Sequence, residues 1–236
     1  MAKFIDRTNE QNYNTQGYFM IISKYINNKE CYVKFTEPRV TIVRCYYSAF
    51  KSGKVKNPYH NSMFNVACVG ETNVNNNDGS RKKSYYYWKN MISRCYKSDI
   101  NVNPTYVECM VCNEWLCYAN FKKWFDKNYY TIPNEKICLD KDILVKGNKI
   151  YSPQTCCFVP QKINNMFENN EKETKGIQYY KNAYVVNFGN QYIGRYKTFK
   201  DAKQAYYKAK KDRLEKLANR YKDYINIKVY NKLIGW

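Results

Sequence analysis

The sequence predicts a mixed α+β chain built in modules, and three observations carry that expectation. Apolar residues alternate as in strands from Gly17 to Tyr47, recur at helical spacing from Trp88 to Phe125, and alternate again between Gly176 and Thr198. Polar segments at 71–83 (ETNVNNNDGSRKK) and 168–175 (ENNEKETK) fall between these regions and read as linkers. Forty Lys plus Arg stand against twenty Asp plus Glu, a formal charge of +20, on a chain that is 17% aromatic. That ring content excludes a disordered basic tail, and 236 residues supply ample material for buried cores. The boundaries expected are an N-terminal antiparallel β module at 1–70, a helix-supported ββα finger at 84–167, and a three-stranded antiparallel sheet on one helix at 176–236.

Taken in order, residues 1–16 are polar and read as a frayed start. YFMIISKY, CYVKFTE and RVTIVRCYY then form strands, separated by turns at Asn27-Asn28 and Glu37-Pro38. His60, the only histidine, falls in the loop beyond them and reads as a surface or hydrogen-bonded residue. After the first linker, Trp88, Met91, Ile92 and Cys95 lie at i, i+3, i+4 and i+7, one apolar stripe of a helix that Pro104 ends. Trp115, Tyr118, Phe121, Trp124 and Phe125 mark a second amphipathic helix. Such aromatic stripes are core-forming, and they read as the support for the finger.

The finger is Leu139–Asn164: a short strand LDKD, a loop turned at Gly147-Asn148, a strand ending at Val159, and a helix opened by Pro160. In the last region Ile177–Lys181 and Ala183–Phe188 are strands, and Gly189-Asn190 is a tight turn into QYIGRYKT. A long helix comes next, with Ala202, Ala205, Ala209, Leu214, Leu217 and Ala218 as its apolar stripe. Alternation places Tyr184, Val186 and Phe188, with Ile177 and Ile193, toward that helix. It leaves Gln178, Tyr180, Asn187 and Tyr192 on the opposite face, with Lys181 and Arg195 nearby. Amide side chains pair with adenine, tyrosines stack or hold phosphates, and the cations hold the backbone. Residues 222–236 read as a short strand or helix covering an edge.

These residues carry two resemblances. The reading LDxD…YSPxTC…VPxxIN, preceded by WKNMISRCY and VCNEWLCYANF, resembles the HNH (His-Me finger) endonucleases of phages and mobile elements. The segment GI…AYVVNF…YIGRYKTFKDAKQAY is similar to the Apetala/ethylene-response type of DNA-binding domain, which such nucleases commonly carry behind the finger. The first resemblance implies a metal-dependent cut, with a His on the first strand as general base and an Asn or His on the helix as metal ligand. By spacing, Asp140 stands where that His belongs, Asp142 comes after it, and Asn164 lies on the helix. The chain therefore lacks the family's base. If it cuts, Asp140 and Asn164 would hold Mg²⁺ or Mn²⁺ and Asp142 would support them. If it does not, the finger is a scaffold of a DNA-binding regulator or defence-related factor. A third reading is an adaptor that binds another protein.

The expected partner is double-stranded DNA, since +20 of charge with interspersed rings suits a polyanion. No membrane association is expected: 1–17 is polar, and no run of eighteen apolar residues occurs. The ten cysteines then read as reduced thiols of a bacterial cytoplasm, with the chain on the nucleoid. Cys109 and Cys112 have ligand spacing, but the cysteines around them fall in apolar patterns, so zinc is not expected.

Overall fold

The first apolar alternation forms a four-stranded antiparallel sheet of β1 (Gln11–Tyr13), β2 (Phe19–Asn27), β3 (Glu30–Phe35) and β4 (Thr41–Cys45), in sequential order. The structure is a computed structural model that describes residues 5–97, 106–167 and 176–236. The chain divides into two compact units. One comprises Met1–Val107 with Val111–Lys123, the other Glu108–Met110 with Trp124–Trp236.

In the first unit, Met20 and Ile22 of β2 and Cys31, Val33 and Phe35 of β3 alternate inward. Phe50 of the short helix α1 (Tyr47–Lys51) and Val55 complete their core. β1 was not expected, because its residues fall in a stretch that reads as frayed. Its three residues pair with Phe19–Ile21 through the backbone, which leaves no apolar alternation in the sequence. The segment 71–83 is likewise more ordered than a linker. Lys82 N donates to Val74 O (2.9 Å), Asn76 N to Ser80 O (2.7 Å), and Asp78 caps the Gly79 turn by accepting from Ser80 N (2.9 Å).

Helix α2 (Lys83–Tyr96) buries Trp88, Met91 and Ile92 as expected. Pro104 lies outside the described residues. β5 (Met110–Val111) is followed by a 3-10 turn at Asn113–Leu116, then by α3 (Tyr118–Asn128), so the second aromatic stripe is carried by two elements. Trp88 Nε1 donates to Trp115 O (2.7 Å), and Ser84 Oγ bonds the Tyr118 hydroxyl (2.7 Å), which satisfies the polar ends of buried rings.

The second unit contains the finger. β6 (Ile137–Asp140) runs antiparallel to β8 (Cys157–Pro160), with Ile137 opposite Pro160 and Asp140 opposite Cys157. β7 (Ile150–Tyr151) lies in the connection, and α4 (Gln161–Asn164) packs on β6 and β8. Next come β9 (Ile177–Tyr180), β10 (Ala183–Phe188) and β11 (Gln191–Tyr196), a three-stranded antiparallel sheet with β10 central. The linker expected at 168–175 lies outside the described residues.

Helix α5 (Phe199–Tyr221) starts at a capped end: Thr198 Oγ1 accepts from Asp201 N (3.1 Å). Its apolar stripe serves two partners in succession. Ala202 and Tyr206 pack with Ile177, Val186 and Ile193 of the sheet. Leu214, Leu217, Ala218 and Tyr221 instead join Ile143, Cys157, Val159 and Ile163 of the finger. The final segment is helical, α6 (Ile227–Ile234), and seals that same core with Val229 and Leu233. The finger and the end of α5 thus share one core, where the sequence suggested two separate modules.

Candidate functional site

Asp140 is the last residue of β6, half-buried where the chain turns into the loop. Its Oδ1 accepts from two backbone amides, Asp142 N (2.7 Å) and Ile143 N (2.7 Å). This is the local bonding that makes Asp a turn former. Burial raises the Asp140 carboxyl above its ordinary value, opposed by those two amide bonds. Lys141 is buried (7% exposed) and points into the loop. Its Nζ reaches both oxygens of Asp142 (2.8 Å each) and Asn148 O (2.9 Å). Burial works against the Lys141 charge, yet the bond to Asp142 leaves it held more firmly protonated than usual. Asn148 closes the loop from its other side, donating through Nδ2 to Lys141 O (2.9 Å) and Ile150 O (2.7 Å).

Asn164, the last residue of α4, is buried against the same hairpin. The fold therefore gathers Asp140, Asp142 and Asn164 in one ββα unit, but both aspartates are committed to the loop. A divalent ion of the Mg²⁺ type takes carboxylate and carbonyl oxygens. Here an ammonium already neutralises Asp142, and half of the Asp140 carboxylate holds the loop. Among the described residues no group of three or more His, Cys, Asp or Glu could hold a metal ion. Both aspartates are thus held by the loop, and this chain by itself presents no ready set of donors to a divalent ion.

The sheet is arranged differently. Cross-strand register sets Gln178, Val185 and Arg195 in one row and Asn187 opposite Tyr192 in the next. Alternation puts the side chains of Gln178, Val185 and Asn187 on the face away from α5. A bulge at Ile193, where the register shifts between Val186 and Asn187, brings Tyr192 and Arg195 onto that same face although they are three residues apart. Inward-facing Tyr184 meets Phe199 of α5 (ring centroids 5.6 Å), and Phe188 meets Tyr206 (5.3 Å). Tyr180 and Tyr192 are 58% and 61% exposed, and Gln178, Lys181 and Arg195 are also exposed, while Asn187 is half-buried. All six candidate DNA-binding residues thus belong to the outer face or to the turn at its edge.

Two features of that face are not evident in the sequence. Lys181 (φ 47°) and Asn182 (φ 57°) form a left-handed two-residue turn between β9 and β10 without a glycine. Arg195 spans the sheet to clamp it, donating through Nη2 to Tyr180 O (3.2 Å) and Lys181 O. Lys181 Nζ in turn lies over the Tyr180 ring (5.2 Å). Lys197, exposed just past the end of β11, is a further cation that the sequence alone does not single out. At the other end Gly176 O accepts from Asn187 N (2.7 Å). With φ 110°, a Cβ there would collide with Asn187 O, so glycine is required.

No helix among the described residues is long and apolar enough to cross a membrane. Searches of protein-family models, curated proteins and solved structures found no match to this chain.

Proposed function

We propose that this chain binds duplex DNA through the outer face of the β9–β11 sheet, and that the finger is the scaffold on which the sheet's helix is seated. The observation that carries this reading is the register-aligned face itself. It combines two amides, two exposed tyrosines and flanking cations, on a chain of charge +20. Positive charge on either side supplies phosphate contacts, and the amides supply base-edge contacts. A phage or mobile-element origin and a place on the bacterial nucleoid accord with the resemblances of both segments.

Binding to a labelled duplex, followed by anisotropy across a salt series, tests this. Affinity should fall steeply from low to physiological salt. Replacing Gln178 and Asn187 by Ala should relax sequence preference by roughly 1–3 kcal/mol per lost base contact, whereas Lys181→Ala should weaken all sequences alike. Salt-insensitive binding, or none at about 50 mM salt, removes the reading.

A second reading, DNA nicking with Mg²⁺ or Mn²⁺, is favoured by one observation. Burial raises the Asp140 carboxyl above its ordinary value, the direction that favours a general base. Supercoiled plasmid incubated with either ion separates the two. Nicking by the wild type that Asp140→Ala abolishes makes the chain an enzyme, and the absence of nicking by either protein leaves the scaffold.

A further inference from the structure

Beyond the sheet, on helix α5, a second group of rings and lysines surrounds a cavity of about 370 Å³. Its walls are Tyr207, Lys208 and Lys211 of α5 and Trp236, which lies just beyond α6. The rings of Tyr207 and Trp236 are 5.9 Å apart at 50°, a tilted pair in contact, so the wedge open to a ligand is the cavity against their outer sides, not a gap between them. Lys210 Nζ lies over the Trp236 ring at 4.6 Å and is itself only 7% exposed, so the face it covers is turned inward. The indole is half-buried, and its solvent side borders the cavity. Lys203 Nζ lies over Tyr207 at 5.7 Å. Lys203, Tyr207 and Lys211 are spaced by four on the helix and form one stripe, with Lys208 beside it.

We infer that this wedge is a stacking site for an unpaired nucleobase of a single-stranded nucleic acid, whose adjoining phosphates are held by Lys208 and Lys211. Flat rings with a fan of cations are what single-strand binders use. Every base has a π-face to stack, and the backbone follows the positive charge. Lysine alone would accept any anion, including an acidic peptide, but the paired rings add a preference for a planar ligand. Bases within a duplex are stacked on one another, so only an unpaired base offers the face this wedge can take. Lys208 also borders the larger cavity that Gln178, Asn187 and Tyr192 line, so it is Tyr207, Lys211 and Trp236, which border the smaller cavity alone, that set this site apart from the proposed duplex surface.

The test uses the full chain with two fluorescein-labelled probes, an oligothymidylate and a duplex of equal length, at low salt. The wild type should bind the oligothymidylate, and Trp236→Ala should weaken that binding about tenfold or more with duplex affinity unchanged. Because Trp236 also packs on the core of the finger and α6, two gentler variants accompany it. Trp236→Phe, which keeps a ring, should retain most of the single-strand affinity. The surface pair Lys208→Ala/Lys211→Ala should lose affinity for the single strand and flatten its salt dependence. The inference is overturned if the wild type does not bind the oligothymidylate. It is also overturned if Trp236→Ala weakens both probes equally, or if the lysine pair leaves single-strand binding intact. Loss of duplex binding alone would overturn the reading of the sheet and leave this one standing.

Discussion

In the finger, Asp140, Lys141, Asp142 and Asn148 turn their polar atoms onto one another and onto the loop backbone. On the outer face of the sheet, Gln178, Tyr180, Lys181 and Tyr192 turn theirs to solvent. Both regions hang on the same helix, the sheet on its first half and the finger on its second. Polar groups that satisfy each other inside a loop maintain a shape. Polar groups arrayed on a flat exposed face remain available to a partner. On the proposed reading the finger is architecture and the sheet is the interface, although sequence matching placed the candidate catalytic residues in the finger.

The sharpest way to break this contrast is at the shared helix. Leu214 is fully buried between α5, the finger and α6. Leu214→Ala should cost about 2–5 kcal/mol of stability, read by denaturant unfolding, and should loosen the finger and α6 together. If hydrogen exchange shows only α6 opening, the two are not one structural unit. The same packing argues against excising 176–236 as an independent DNA-binding fragment, since Leu214, Leu217, Val229 and Leu233 would lose their cover from Ile143, Cys157, Val159 and Ile163.

Next in size is the loop lock. Lys141→Ala removes the partner of Asp142 and leaves Asn148 O without its buried donor. The expected loss is about 1–3 kcal/mol, with faster amide exchange across 141–149. Unchanged exchange there would mean that the loop is held by Asp140 and Asn148 alone.

Asp140 gives a pH-dependent version of the same test. Burial holds its carboxyl above the ordinary value, so the folded chain keeps a proton that the unfolded chain has already lost. Stability from this group therefore falls as pH rises through that window. Asp140→Asn, which keeps the Oδ1 acceptor, should remove the slope, while Asp140→Ala should also release the two loop amides. Glu135 is the opposite case. Bonds from Lys162 (2.7 Å) and then from the Tyr221 hydroxyl (2.9 Å) hold its carboxyl below the ordinary value. Its contribution is present above that range and fades as pH drops through the lowered value. Thermal unfolding of wild type, Asp140→Asn and Glu135→Gln across acidic pH should show slopes of opposite sign removed in the two variants.

Much of the fold was legible because burial leaves a period in the sequence. Tyr184, Val186 and Phe188 announced the inward face of β10, and Trp88, Met91 and Ile92 that of α2. What the sequence hid has physical reasons. β1 pairs through backbone atoms, which carry no residue signature. The Lys181-Asn182 turn adopts positive φ without glycine, and the guanidinium that braces it, bonded to the Tyr180 and Lys181 carbonyls, comes from Arg195 on another strand. The stripe on α5 shows which side of the helix is buried but not that two partners divide it. As for the candidate site, matching by spacing located Asp140, Asp142 and Asn164 in one unit. It could not reveal that Lys141, the residue between the two aspartates, points inward and neutralises one of them.

The smallest expected effect bears on the contrast from its other side. If the outer sheet face is kept for a partner, its residues should contribute little to folding. Gln178 is exposed and lies in the row with Val185 and Arg195, away from the α5 core. Gln178→Ala should change unfolding free energy by less than about 0.5 kcal/mol, as surface substitutions usually do. Arg195→Ala is the internal control, because Arg195 clamps the Lys181-Asn182 turn as well as facing outward. It should be measurably destabilising, by about 1 kcal/mol for its lost hydrogen bonds. A Gln178→Ala protein as destabilised as Arg195→Ala would mean that the outer face is structural too, and the division between architecture and interface would fail where it is most needed.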